Sequence, residues 1–472
     1  MKKLLKLLGM FILFIIAAVI VMWIFKICPP QGPWPMPPWC DNSQTSEAYQ
    51  QSDTAKAGIT QQGSANQGTG GQQSKTDTTG KGTAAGDTVW QQPQEYLNMI
   101  SGPGWLPADS VTKITTGHTF MDLNNTFLFK NRFAPTIKSM KSNNAQWAVF
   151  DNYNSYHSLN PPVIGTYTDT SEHSFRHATD AELKTMIETT HQNGLKFALM
   201  TELSFDVAQG KFTTWEENEK FWKDSQALLD KMGSGLDKPT SEQTAYWDKW
   251  FAEYTKFIMS NASAAQKYGA DMLVIGKQID GAVRMGNTQR WKKLIQEVRS
   301  VYQGPIGYAG FTNNDYTQFQ ECGFISDLDS IIIYMYNAVS QKENPSIAEL
   351  KDSFERIIDK QADYYYEQTG KKVILLTPFQ SRDYGAKQVW FEPAAPAPGV
   401  KQDLLIQAKM YEALFQALSD EKSVEMVWTW GYWWLENDFN REQGSQASSE
   451  KSSTVRNKPA AEVIKKWSKT SD

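Results

Sequence analysis

The sequence predicts an α/β protein: a (β/α)8 barrel carried behind a single N-terminal transmembrane helix and a disordered linker. Three observations predict it. Strand-like runs alternate with helical patterns from about residue 91 to the end, and eight such units fit one barrel with insertions. Several runs, M-L-V-I-G at 272–276, S-I-I-I-Y at 330–334 and V-I-L-L-T at 373–377, are apolar throughout, as strands are when a parallel sheet is covered on both faces. No Gly-rich phosphate turn follows an early strand, which counts against the runner-up, a doubly wound open sheet.

The chain opens with Lys2, Lys3 and Lys6, then an uncharged apolar run at 8–25. As a helix that run is roughly 27 Å long, enough to cross a bilayer core. The preceding lysines keep the short N-terminus cytoplasmic and export the remainder of the chain, so the expectation is a cell-membrane protein, single-pass, with its C-terminal domain extracellular. No small-x-small cleavage site comes after the run, and Phe25, Lys26 and Ile27 suit lipidation at Cys28 poorly, so residues 1–27 read as an uncleaved signal-anchor rather than a lipoprotein leader. C-P-P-Q-G-P-W-P-M-P-P-W-C at 28–40 is an extended Pro-rich stretch whose two cysteines either bridge or stay free. Residues 41–90, rich in Gln, Ser, Thr and Gly, cannot bury enough apolar surface to fold. The domains are therefore 1–27 anchor, 28–90 linker and 91–472 barrel.

Within 91–472 the expected strands are a first somewhere in 112–121, then 145–150, 196–203, 271–277, 305–310, 328–336, 372–377 and 424–430. Helices are expected at 180–193, capped by Thr179 and stopped by Gly194, and at 246–268, 288–302, 346–369 and 401–419. A long insertion occupies 204–243, and only a short loop-rich segment comes after the fifth strand.

A net charge of −5 offers no basic surface for nucleic acid. With 17 Trp, the chain is rich in flat amphipathic rings. Function in a barrel sits at the C-terminal strand ends. Those ends carry Asp151, Asn152 and Tyr153; Glu202; Gln278 and Asp280; Phe311 and Asn313; Tyr334 and Tyr336; Pro378 and Gln380; Trp428, Trp430 and Tyr432. Rings cover the apolar faces of a sugar while amides and carboxylates pair with its hydroxyls, so a poly- or oligosaccharide is the expected partner, besides the membrane, with no cofactor and no metal. Some rings are expected to plug the barrel top, but the W-T-W-G-Y-W-W cluster at 428–434 holds too many for all of them to be core.

Four segments carry a resemblance: H-A-T-D-A-E-L-K-T-M-I-E-T-T-H-Q-N-G-L-K-F-A-L-M-T-E at 177–202, Y-W-D-K-W-F-A-E-Y-T-K-F-I at 246–258, A-Q-K-Y-G-A-D-M-L-V-I-G-K-Q at 265–278 and W-K-K-L-I-Q-E-V-R-S-V-Y-Q-G-P-I-G-Y-A at 291–309. In order and spacing they resemble glycoside hydrolase family 113, retaining (β/α)8 enzymes that include β-mannanases, over about 144–434. Retaining hydrolysis needs two carboxyls about 5–5.5 Å apart, a nucleophile and an acid/base. The resemblance implies glutamates just past the fourth and seventh strands. Gln278 stands at the acid/base position and Pro378 at the nucleophile position. Gln278 has no acidic proton to give and Pro378 offers no nucleophile. The resemblance thus implies a sugar-binding barrel without the family's retaining catalysis. Two alternatives stay open: an active mannanase-like glycosidase using relocated carboxylates such as Glu202 with Asp280 (Asp383 is another nearby acid), and a surface scaffold or adhesin for a protein.

Weaker signals read blandly. Asp169, Glu172, His173 and His177 read as a solvated loop, Cys322 as a small buried residue, and the Lys- and Glu-rich face of 351–363 as solvent-facing. Asn124 and Asn261 lie in glycosylation sequons.

Overall fold

The computed structural model describes residues 94–120, 126–165, 177–204, 215–279, 281–312, 317–387, 400–432 and 451–470. The expected anchor and linker segments (1–27 and 28–90), Asn124, Asp169, Glu172, His173, Asp280 and Asn313 lie outside them. Among the described residues no helix is long and apolar enough to cross a membrane.

The strands are β1 Thr115–Phe120, β2 Trp147–Leu159, β3 Pro162–Gly165, β4 Lys196–Ser204, β5 Met272–Lys277, β6 Ile306–Thr312, β7 Ser330–Met335, β8 Val373–Thr377 and β9 Val424–Thr429. All but β3 run parallel, and pairing of β1 with both β2 and β9 closes the barrel. The eight barrel strands fall where the apolar runs predict them. Strand β2 runs further than expected, to Leu159, and turns back antiparallel as β3.

The helices are α1 Gln94–Met99, α2 Thr126–Ser142, α3 Asp180–Gln192, α4 Trp215–Gly233, α5 Ser241–Tyr268, α6 Thr288–Val301, α7 Ile347–Ile358, α8 Tyr364–Thr369, α9 Leu404–Ala417 and α10 Pro459–Trp467. Thr179 caps α3 in a reciprocal box with Glu182. Helix α5 begins at Ser241, earlier than the expected 246, because Thr240 and Gln243 make the same box. The expected helix at 346–369 is interrupted by a π-helical turn, Asp359–Asp363, between α7 and α8. Helix α2, with Pro135 in its interior, and α10 have no counterpart among the helices expected from the sequence.

Two cores flank the sheet. Inside the barrel, Trp147, Val149, Met200, Met272, Val274, Ile332, Ile374, Leu376, Met426 and Trp428 pack together. Gly117 makes this possible: a Cβ there would meet Trp147 Cβ at 2.7 Å and Trp428 Cδ1 at 2.8 Å, so only glycine lets the two indoles approach to 6.1 Å. Between strands and helices lies an aromatic layer. Trp250 stacks on Tyr254 at 4.5 Å and donates to Tyr156 Oη (2.8 Å), while Tyr254 Oη donates to Ile275 O (2.8 Å), tying β2 and β5 to α5.

The C-terminus is locked by one buried carboxylate. Glu412 on α9 accepts from Leu106 N (2.9 Å), Gln416 Nε2 (3.0 Å) and Trp467 Nε1 (2.8 Å), and pairs with Lys466 at 2.7 Å. Asn261, in the second sequon, lies inside the fold. Its side chain is buried, accepting from Asn152 Nδ2 (2.7 Å) and donating to Phe257 O (2.9 Å), so the folded chain withholds that sequon from glycosylation. Cys322 is buried, its thiol donating to Gln318 O at 3.3 Å.

Candidate functional site

The site is built from the ends of β2, β4, β5 and β7. Strands β2 and β4 pair in register with Tyr153 opposite Glu202 and Asp151 opposite Met200. Side chains alternate along a strand, so Asp151 and Tyr153 share the inner face with Glu202. Strand β5 would break this pattern if it were regular. Val274 faces inward and Ile275 outward, so Gly276 should turn in and Lys277 out. Instead β5 advances from Val274 to Lys277 while β6 advances only from Gly307 to Ala309, a bulge of one extra residue. A Cβ on Gly276 would face Tyr308 at 2.8 Å and Tyr254 Oη at 3.0 Å in the outer layer. The bulge re-aims Lys277 into the barrel mouth.

There its ammonium donates to Asp151 Oδ2 at 2.8 Å and to Glu202 Oε2, and lies 5.9 Å from the Tyr334 ring centroid. The Lys277 side chain is 6% exposed, Asp151 0% and Glu202 22%, so only Glu202 reaches the solvent side. Two hydrogen bonds to one nitrogen hold the carboxylate oxygens within about 5.5 Å of each other, with the ammonium bridging them.

Burial pushes the Asp151 carboxyl up to about 7; Lys277 opposes this and Glu202 adds to it. Burial alone would lower the Lys277 pKa, but the two carboxylates outweigh it and the net shift is upward. A folded-state pKa raised from 3.8 means that Asp151 favours folding while protonated, and that this contribution is lost as pH rises through about 7. Urea unfolding of wild type and Asp151→Asn from pH 4 to 8 should therefore show the wild type losing stability relative to the variant, by a few kcal/mol in order of magnitude. Parallel curves would contradict the assignment.

Above the clamp stands a ladder of rings. Tyr334 stacks on Tyr336 (4.7 Å), Tyr336 meets Phe311 (6.3 Å), and Tyr334 meets Trp430 edge-on (6.3 Å). Phe311 and Tyr336 are half-buried and pack against the inner-barrel cluster. Gln278 comes directly after β5 with φ +52°, in the left-handed region; its backbone N–H donates to Ala309 O (2.8 Å) and its amide to Tyr336 Oη (3.2 Å). The loop it begins is clamped by α4: Gly281, with φ +73°, sits so close that a Cβ would meet Leu229 O at 2.7 Å.

Other expected site residues lie deeper. Pro378 comes after β8 and is buried, as are Gln380 and Tyr153. Trp428, Trp430 and Tyr432 are 0%, 7% and 0% exposed. Trp428 and Trp430 fill the barrel, and Tyr432 stacks on His118 at 4.6 Å in the outer layer; Trp433 and Trp434, the other rings of the 428–434 cluster, lie outside the described residues. His118, its pKa lowered by burial to about 3, is neutral. His177 packs edge-on against Phe257 of α5 and donates from Nδ1 to Tyr153 O, midway along β2, at 3.1 Å. Among the described residues no cluster of His, Cys, Asp and Glu is fit to hold a metal.

Lys277 was missed as a site residue. The available signal was a lysine ending an otherwise apolar strand, M-L-V-I-G-K, since a lysine buried in a barrel requires anionic partners.

Comparison with known proteins agrees with this architecture. The family model of Glycoside Hydrolase Family 113 matches residues 119–458. The chain belongs to that family. Among solved structures, a family 113 β-1,4-mannanase determined as a complex aligns at 20% identity and a TM-score of 0.52, over 76% of this chain and 98% of its own. The family 113 β-mannanase from Alicyclobacillus acidocaldarius, in complex with ManMIm, aligns at 19% identity with the same TM-score and coverage. At these identities the likeness shows the family's barrel fold. No curated protein matches the chain.

Proposed function

We propose that this family 113 barrel binds a poly- or oligosaccharide at its mouth without carrying out retaining hydrolysis. The observation that carries the reading is Lys277. Its ammonium occupies the space between Asp151 and Glu202, so no glycosidic bond can enter between these carboxylates. Gln278 and Pro378, at the strand ends where the family resemblance calls for its acid/base and nucleophile, supply neither function. The half-buried rings Phe311 and Tyr336, with Tyr334 and Trp430 behind them, give a surface suited to a sugar face.

A second reading has one observation in its favour. Asp151 and Glu202 converge on one ammonium, and the raised Asp151 pKa is what an acid needs. Against it, Asp151 is wholly buried beneath Lys277. The relocated pair of Glu202 with Asp280 rests on the sequence alone.

Titration of the purified protein with manno-oligosaccharides tests the reading. Saturable binding is expected, weakened about tenfold by Tyr336→Ala or Phe311→Ala, the two half-buried rings at the mouth. No binding to any glycan would favour a protein partner instead. The location at the outer face of a membrane rests on the lysines, apolar run and linker of residues 1–90. It predicts that the protein stays with membranes through an alkaline wash and is released when residues 1–27 are deleted.

A further inference from the structure

A second concavity lies outside the barrel mouth, between the segment just after β7 and the end of α7. Its volume is about 270 Å³. Buried Asn337 and Gln361 form its floor, Val339 and Ile357 an apolar wall, and the exposed Arg356 and Lys360 its rim. This is just under the range of small-molecule pockets, so it has room for one compact molecule and not for a polymer.

We infer that this cleft binds a small oxyanion, a carboxylate, sulfate or phosphate, either as the free ion or as the acidic group of a sugar. Charge is the first argument. Arg284, Arg290 and Arg299 each pair with a carboxylate. Among the described residues Arg356 pairs with none: its polar contact there is Ser353 Oγ at 2.9 Å, a single bond from a guanidinium that has five N–H donors. Lys360, one turn on, likewise has no acidic partner among the described residues. Of the acids on the same helical stretch, Glu355 pairs with Lys351, and neither Asp352 nor Asp359 lines the cleft. Two cations without an acidic partner among the described residues therefore rim a cleft whose described lining holds no carboxylate, the arrangement that suits a planar oxyanion.

The backbone is the second argument. Helix α7 widens at its end into the π turn Asp359–Asp363, a feature that occurs often at functional sites. The turn carries Lys360 on the rim and Gln361 in the floor. Thr312 Oγ1 at the end of β6 donates to Gln361 Oε1 (2.8 Å) and lies 3.2 Å from Asn337 Oδ1, so the floor is fixed by hydrogen bonds. Asn337 comes directly after Tyr336 of the barrel mouth. The Lys- and Glu-rich face expected to be merely solvated thus includes one wall of a cleft.

Isothermal titration at low salt with inorganic phosphate, with glucuronate and with glucose tests this. Saturable binding of phosphate or glucuronate, and none of glucose, is expected; tighter binding of glucuronate assigns an acidic sugar, and phosphate alone a free ion. The double substitution Arg356→Ala with Lys360→Ala should raise Kd by about tenfold or more, because charge-assisted contacts are the strong ones. Both side chains are exposed, so the thermal unfolding midpoint should stay unchanged and separates lost binding from misfolding. Ile357→Trp, which fills the cleft while keeping both cations, should abolish binding as well. Failure of both anions to saturate, or binding indifferent to either variant, overturns the proposal.

Discussion

Replacing Lys277 by Met destabilises the barrel by about 3–5 kcal/mol at pH 8, the loss expected when one partner of a buried ion pair is removed. Asp151 and Glu202 then face each other without the ammonium that both now accept from. Asp151 can relieve the repulsion by taking up a proton. Its carboxyl is already raised by burial, and losing the lysine raises it further. A raised folded-state pKa stabilises the fold at low pH and ceases to do so as pH rises, so the penalty of Lys277→Met should be clearly smaller at pH 5. The double variant Asp151→Asn with Lys277→Met should recover much of the loss, because no unpaired buried charge remains. Urea unfolding at the two pH values measures all of this. A loss at pH 8 under about 1 kcal/mol would place the cluster in a far wetter setting than its burial indicates.

The second large effect lies far from the mouth. Glu412→Ala should cost about 3–5 kcal/mol, again through a buried charge left without its partner. The carboxylate is wholly buried, and three donors and Lys466 converge on it from three parts of the chain: the segment at Leu106, helix α9 itself and helix α10. Its removal leaves Lys466 (16% exposed) unpaired and the Trp467 indole N–H without its acceptor. Denaturant unfolding reads the loss. Hydrogen exchange at Leu106 and along α10 should rise before that of the barrel strands, because these elements are held to the barrel through Glu412. Unchanged exchange at α10 would show that packing of Trp467 against Phe415 suffices.

These two sites mark what was legible in the sequence and what was not. Most of the barrel strands, such as β5, β7 and β8, were legible because each is a short apolar run bounded by polar or glycine residues, which is what burial on both faces demands, whereas β1 (T-T-G-H-T-F) carries no such run. Helix α2 was hidden by Pro135, and the extension of β2 past Phe150 by residues such as Asn152, Asn154 and Ser155 that do not look like a strand core. At the mouth, counting to strand ends found Asp151, Glu202, Tyr334, Tyr336 and Gln278. It could not find depth. Trp428 stands opposite Gly117 and Leu376 in the middle of the barrel, a matter of register between strands distant in sequence. Nor could it find Lys277, whose inward aim depends on one extra residue in β5 relative to β6. Glu412 reads as an ordinary helix glutamate until α10 folds over it. In each case the missing information is tertiary.

The measurement that bears most directly on the silent, sugar-binding barrel is product release from manno-oligosaccharides by the purified wild-type protein, run beside Glu202→Gln and the double substitution Gln278→Glu with Pro378→Glu. Bound oligosaccharide with no new reducing ends from the wild type is the predicted result. Hydrolysis gained by the double variant would support the assignment of the two strand-end positions. Wild-type hydrolysis that Glu202→Gln abolishes would contradict the account, showing that a carboxylate at this mouth performs the chemistry despite Lys277.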